Sequence, residues 1–186
     1  MMNVYSLPTA LDCSGQILAI RNGGDWRTVI DVCIALSDPA LSDMEKILAA
    51  MTIFYEAELS EIKDPNKAVE LVSEFIAAGE NGPQTKKPKL IDWETDAGLI
   101  VSGVNAVLGK EIRAEAYMHW WTFIAAYMGI GESALATVVG IRDKIARGKK
   151  LEKYEQEFKR NNPQYFGVDK RAAEAGADLL KELIGE

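Results

Sequence analysis

The stretch YMHWWTFIAAYMGI, residues 117–130, decides the fold of this chain. It holds the only histidine, His119, followed directly by two of the four tryptophans. Apolar residues recur in it at the spacing of one helical face, which predicts a helix over 114–128; they are Trp120, Phe123, Ile124 and Tyr127. Trp121, Ala125 and Met128 widen this face, so the helix must be covered on two sides. We therefore expect it at the packing centre of a helical protein.

His119 has two interpretations. Its unperturbed pKa of about 6.5 would suit a general base. The sequence, however, offers no nucleophile or orienting group at a recognisable catalytic spacing. Consecutive helical residues point about 100° apart, so His119, Trp120 and Trp121 should not line one pocket. We expect one tryptophan in the core, the other against a neighbouring helix, and His119 near the rim, bonded to a backbone carbonyl or to an acid such as Asp96.

Composition narrows the class of protein. The chain has 186 residues, of which 48% are hydrophobic and 26% charged, as in a folded globular domain rather than a disordered or membrane protein. Its net charge of −7 would repel phosphate backbones, so we expect no nucleic-acid partner. The first residues lack the pattern of a secretory signal, and we expect no membrane partner either.

Helix start signals recur along the chain. Asp25, Ser133, the pair Ser42 and Glu45, and the pair Asp64 and Pro65 each precede an apolar periodic run. We predict an all-α fold, an irregular bundle of about six to eight helices with little or no β-structure. The only strand that we consider is a short piece at residues 3–7.

The same signals suggest a domain plan. Residues 1–24 form a lead-in, and residues 25–162 form a single helical domain. Within it, the stretch 78–89 is rich in Gly, Pro and charge and is predicted to link two helical halves. Residues 163–186 form a C-terminal tail that could include a peripheral helix, with an apolar side made of Leu179, Leu180, Leu183 and Ile184.

Three carboxylates stand close together at Asp92, Glu94 and Asp96. Asp92 and Asp96 lie four residues apart, so on a helix they would share a face and could share a cation. The structural interpretation, which we favour, is that all three lie in the first turn of a helix, where the helix dipole stabilises negative charge.

A basic segment covers residues 142–160 and includes Arg142, Lys149 and Lys150. It has eight Lys or Arg and four Asp or Glu, a net charge of +4, which leaves −11 for the rest of the chain. This asymmetry suggests that the segment docks onto an acidic surface of a partner or of a second copy. A solvated helix with internal ion pairs explains it equally well, and RNA binding is a weaker third interpretation.

The second half resembles the bacteriophage gene product fifteen family, found in siphophages and prophages of Gram-positive bacteria. The resemblance is carried by DWETDAGLIVSGVNAVLGKEIR and by MHWWTFIAAYMGIGESALATVVGIRDKIARGKKLEKYEQEFKRNN, and it covers about residues 25–162. The positions that fit the family pattern are Asp92, Asp96, His119, Trp120, Trp121, Phe123, Gly140, Ile141 and Arg142.

The resemblance implies a place in the tail module, between the genes of the major tail protein and the tape measure protein. It brings no catalytic residue and no cofactor. Our leading hypothesis is a non-enzymatic tail assembly chaperone that binds the tape measure protein in the host cytoplasm and self-associates along it. A minor structural protein of the tail is one alternative, and a metal-dependent hydrolase using Asp92, Asp96 and His119 is another.

Overall fold

The computed structural model describes residues 5–78 and 90–167. Within these ranges the chain forms two compact units. The larger unit contains residues 5–78 and 100–130, and the smaller unit contains residues 90–99 and 131–167.

The described residues form seven α-helices and one β-hairpin. The helices are α1 Trp26–Ser37, α2 Asp43–Phe54, α3 Pro65–Ile76, α4 Ala97–Leu108, α5 Trp120–Met128, α6 Ala134–Ala146 and α7 Lys153–Asn161. This number lies within the predicted six to eight, and the protein is mostly helical, as expected.

The β-hairpin corrects the strictly all-α prediction. Strands β1 (Ala10–Cys13) and β2 (Gln16–Ala19) pair antiparallel, with Leu11 opposite Leu18. Ser14 and Gly15 join them, both with positive φ, as a tight two-residue hairpin turn requires. The hairpin follows the stretch where a strand was considered, and residues 5–7 of that stretch are not a strand.

Side-chain caps begin four of the helices at the predicted places. The Asp25 carboxylate accepts the Arg27 N–H at the start of α1, and Asp64 accepts the Lys67 N–H at the start of α3. Ser42 and Glu45 form the expected capping box of α2, and Ser133 caps α6. Each cap bonds a backbone N–H that the helix itself leaves unpaired, which explains why these local patterns predict helix starts well.

Helix α5 begins at Trp120, six residues after the predicted start. A 3₁₀ turn at Ile112–Ala114 precedes it, and contacts with the start of α1 keep residues 115–119 out of a helix. The Asp25 carboxylate accepts the Met118 N–H at 3.0 Å, and the Arg27 guanidinium donates to the carbonyls of Ile112, Arg113 and Glu115. A helix over 114–128 would need the Glu115 carbonyl and the Met118 N–H for its internal bonds, so tertiary structure overrides the local helical pattern here.

Aromatic side chains contact one another in the core of the larger unit, among a greater number of buried aliphatic side chains. Trp26 stacks on Phe123 with ring centroids 4.8 Å apart, and Trp120 stacks on the same ring at 5.4 Å. Phe54 and Phe75 meet edge to face at 5.1 Å. The rings thus join α1, α2, α3 and α5 into one core, in offset and edge-on arrangements that aromatic quadrupoles favour.

The smaller unit is built on α6 and α7. Leu135, Val138 and Ile141 are the buried apolar side chains of α6. Gly148, with a φ of +65°, turns the chain after α6, and the buried carboxylate of Glu155 on α7 accepts two hydrogen bonds from Lys144 at 2.7 and 2.8 Å. A 3₁₀ turn at Pro163–Tyr165 follows α7.

Parts of the domain plan lie outside the described residues. These are residues 1–4, residues 79–89 of the proposed linker and residues 168–186 of the proposed tail. The domain boundaries themselves stay a prediction. Among the helices of the described ranges, none is long and apolar enough to span a bilayer.

Gly24→Ala should destabilise the protein more than Gly15→Ala. Both glycines have positive φ, so both variants incur the same kind of backbone strain. A Cβ on Gly24 would lie 2.8 Å from Cζ of Phe75, whereas one on Gly15 would meet nothing within 4 Å. We expect Gly24→Ala to lose about 1–3 kcal/mol more of the free energy of unfolding, measured by urea titration of tryptophan fluorescence. Equal losses would show that Phe75 moves aside freely.

Candidate functional site

The candidate residues fall into three groups. His119, Trp120, Trp121 and Phe123 lie together in the larger unit. Asp92, Asp96 and Arg142 lie together in the smaller unit, and Lys149 and Lys150 are exposed between α6 and α7.

His119 is the N-cap of α5, not a residue of the helix. Its Nδ1 accepts the Trp121 N–H at 3.0 Å, and its Nε2 lies 3.1 Å from the Pro8 carbonyl oxygen. A nitrogen that accepts a backbone N–H carries no proton, and a carbonyl oxygen only accepts, so the ring is neutral with its proton on Nε2. The expected bond to a backbone carbonyl is present, but the expected rim position is wrong, because His119 is only 2% exposed.

The surroundings of His119 favour this neutral form. Phe75 and Trp121 meet its ring edge to face, with centroids 5.4 and 5.8 Å away. Burial among these rings lowers the pKa of His119, and the bond to the Pro8 carbonyl opposes this shift less strongly. Both ring nitrogens are hydrogen-bonded to backbone groups, so neither is free to act as a base in this arrangement.

The two tryptophans satisfy the end of a neighbouring helix. Trp120 Nε1 donates to the Ile76 carbonyl and Trp121 Nε1 donates to the Phe75 carbonyl, each at 2.9 Å. These carbonyls belong to the last residues of α3, where the regular helical bonds end, and the Phe75 carbonyl also accepts the Ala78 N–H at 3.0 Å. Both indoles are buried, so adjacent residues at the start of α5 cap the end of α3.

Asp96 and Arg142 form a buried ion pair within the smaller unit. Asp96 is 0% exposed, and the guanidinium contacts both of its carboxylate oxygens, at 2.5 and 3.0 Å. Arg142 also donates to the carbonyl of Leu90 at 2.8 Å and twice to that of Tyr165, at 2.9 and 2.6 Å. All five of its N–H donors are therefore used.

The acid cluster is not the helix turn that we predicted. Helix α4 begins at Ala97, after all three carboxylates. The Asp92 carboxylate accepts the N–H groups of Glu94 and Thr95. The Asp96 carboxylate accepts the Asp92 N–H at 2.9 Å and is paired with the Arg142 guanidinium. The turn is thus organised by side-chain bonds to its own backbone and by a distant arginine.

The hydrolase alternative would need atoms that are already engaged. The Asp96 carboxylate holds Arg142, and both nitrogens of His119 bind the backbone. In the part of the chain that the structure describes, no three His, Cys, Asp or Glu side chains are grouped so that they could hold a metal ion.

Several residues that build these sites have no local signal in the sequence. Ile76, Leu90 and Tyr165 contribute backbone carbonyls, which any residue type could supply, and Phe75 contributes a carbonyl as well as its ring against His119. Asp25 is recognisable as a cap of α1, but its second bond, to the Met118 N–H, joins positions 93 residues apart.

Asp96→Ala should strongly destabilise the smaller unit, because it leaves the Arg142 charge without its buried partner. We expect a loss of about 3–5 kcal/mol in the free energy of unfolding, measured by chemical denaturation. The matched control is Asp143→Ala, which removes an aspartate from the more exposed pair with Arg147 and should cost less than about 1 kcal/mol. Similar losses for the two variants would contradict the structural role of Asp96.

His119 should make stability depend on pH. Because its folded pKa lies below the unfolded value of about 6.5, the unfolded chain binds the proton first as the pH falls. Its contribution is full above that value and is lost as the pH falls towards the lower folded pKa. His119→Asn keeps a capping oxygen but cannot titrate, so its stability should change less between pH 7 and 5 than that of the natural chain. Parallel pH profiles of unfolding free energy would contradict this.

Comparison with known proteins identifies the family. A protein-family model described as Bacteriophage Gp15 protein matches residues 5–166. No curated protein and no solved structure matches the chain. The family match extends the resemblance seen in the sequence at both ends, and it includes the β-hairpin and all the candidate residues. Since it spans well over half of the 186 residues, the chain belongs to the Bacteriophage Gp15 protein family.

Proposed function

We propose that this phage protein is a non-enzymatic tail assembly chaperone that binds the tape measure protein in the cytoplasm of the bacterial host. Membership of the Bacteriophage Gp15 family supports a phage role. The gene position that the sequence resemblance implies, beside the tape measure gene, supports the choice of partner. A tape measure protein is long and helical, and its apolar faces must be kept from aggregating until tube subunits cover them.

The observation that carries this proposal is an exposed apolar patch on the larger unit, formed by Val107 and Met128. Val107 near the end of α4 is 45% exposed, and Met128 at the end of α5 is 75% exposed. The two helix ends adjoin, because a Cβ on Gly129 would lie 3.5 Å from Cγ1 of Val107. A flexible methionine beside a branched apolar side chain suits the binding of varied apolar helix faces.

The tryptophans do not serve as the contact in this proposal. Trp120 and Trp121 are buried, and their indole N–H groups are bonded to α3. Their role is to hold α5 in place, and α5 in turn presents Met128 at its end. The family pattern around His119 thus supports the proposed binding patch indirectly.

Charge asymmetry supports the self-association that we propose along the tape measure protein. Lys149 and Lys150 are exposed, whereas the acidic Glu155 of the same segment is buried against Lys144. Glu155 and Lys144 neutralise each other and Arg142 is paired with Asp96, so Lys149 and Lys150 are the basic side chains of the segment that stay exposed next to each other. A neighbouring copy of this acidic protein would offer a surface of opposite sign.

Coexpression with the tape measure protein of the same phage or prophage tests the function. We expect the natural chain to keep that protein soluble and to copurify with it. The double variant Val107→Glu with Met128→Glu should reduce the copurified amount several-fold, because it places charge in an apolar contact. Ser102→Glu with Thr122→Glu, exposed positions on the same two helices, is the matched control and should behave like the natural chain.

Two results would contradict the proposal. One is a tape measure protein that is equally insoluble with and without this chain and never copurifies with it. The other is stoichiometric recovery of this chain from purified virions by mass spectrometry, which would favour a minor structural protein of the tail.

A further inference from the structure

Two adjoining cavities open on the smaller unit, where the described part of the chain ends. One, of about 370 Å³, lies beside Arg142 and is lined by Ile145 and Tyr165 among others. The other, of about 400 Å³, is lined by Leu151, Gln156, Lys159, Arg160 and Pro163. Phe166 and Gly167 line both cavities. We call the second cavity the α7 cleft.

The α7 cleft combines an apolar wall with a positive one. Leu151, Pro163 and Phe166 supply the apolar part, and Phe166 is held edge-on against Phe158 at 6.3 Å. Lys159 and Arg160 supply the positive part, and Arg160 also lies 4.0 Å from the exposed carboxylate of Glu157. The nearby Glu155 carboxylate is paired with Lys144, and the hydrogen bond from Lys144 lowers the pKa of Glu155. The cleft therefore suits a peptide segment that is both apolar and acidic.

The chain itself carries such a segment immediately beyond the cleft. Residues 168–186 follow directly from Gly167 and include the apolar set Leu179, Leu180, Leu183 and Ile184. Acidic residues recur at every fourth position, which on a helix would form one stripe: Glu174, Asp178, Glu182 and Glu186. The family match ends at residue 166, so this segment is an addition to the part that defines the family.

We propose that residues 168–186 fold back onto the α7 cleft of their own chain, with the apolar set against Leu151 and Phe166 and the acidic stripe facing Lys159 and Arg160. A fully extended chain covers about 3.3–3.6 Å per residue, so the 12 residues from Gly167 to Leu179 can reach any point of the cleft. A short tether also gives an effective concentration in the millimolar range, which favours the attached segment over a second copy. This inference is independent of the tape measure role, because it concerns a different unit and a different surface.

Disulfide trapping in the full-length chain tests the proposal. Gln156→Cys places a thiol in the cleft and Leu183→Cys places one in the apolar set, while both natural cysteines are buried. We expect mild oxidation to give an intramolecular disulfide, seen as faster migration on a non-reducing gel, at a rate independent of protein concentration.

The control pair is Ala136→Cys with Leu183→Cys. Ala136 is exposed near the other end of α6, about 15 Å along the helix from the cavity residue Ala146, and should cross-link several-fold more slowly.

A second experiment measures the same cross-link in charge-reversed variants. Lys159→Glu with Arg160→Glu should slow the cross-link several-fold, and adding Glu182→Lys with Glu186→Lys should restore it. In the otherwise natural chain, Leu183→Asp should speed hydrogen exchange of the α7 amides. No cross-link above the control, no response to charge reversal, or unchanged α7 exchange would each overturn the proposal. Cross-linked dimers as the main product would also overturn it and would assign the segment to a second copy.

Discussion

The larger unit depends on one constraint, which is that the polar groups at two buried helix ends must find partners. The last carbonyls of α3 and the first N–H groups of α5 are enclosed by aromatic rings, where an unbonded polar group costs several kcal/mol. His119, Trp120 and Trp121 meet this need together. The imidazole accepts an N–H at the start of α5, and the two indole N–H groups donate to the last carbonyls of α3. Three consecutive side chains thus satisfy backbone groups of two helices and fill the space between them.

Arg142 plays the corresponding part in the smaller unit. Its guanidinium joins α6, the turn that carries Asp96, and the 3₁₀ turn after α7, because its five donors form a rigid planar fork. A lysine would offer a single charged centre and could not reach the same set of oxygens. The structure therefore explains the aspartate and the arginine of the family pattern as a connection between segments that are distant in the chain.

Much of the helical fold was predictable from the sequence because it follows from local physics. The caps at Asp25, Ser42 and Ser133 bond N–H groups two or three residues away, so their signal is contained in a few letters. The start of α5 and the acid turn were mispredicted because Arg27 and Arg142 act there from far along the chain. The hairpin has a local signal, a Ser-Gly pair between alternating apolar residues, although the strand considered from the sequence lies just before it, at residues 3–7. The sequence could not predict which polar atoms of the candidate residues are already hydrogen-bonded. Their partners are backbone carbonyls distant in the chain, such as those of Pro8 for His119 and Tyr165 for Arg142.

The pairing of the tryptophans with α3 also has a consequence for synthesis. The carbonyl of Ile76 is bonded by the indole of Trp120, which lies 44 residues later in the chain. At about 5–20 residues per second, α3 leaves the ribosome roughly 2–9 s before the residue that closes its end. During this interval the rings of Phe54 and Phe75 have no covering helix, so the nascent chain itself presents an apolar surface to the folding machinery of the cell.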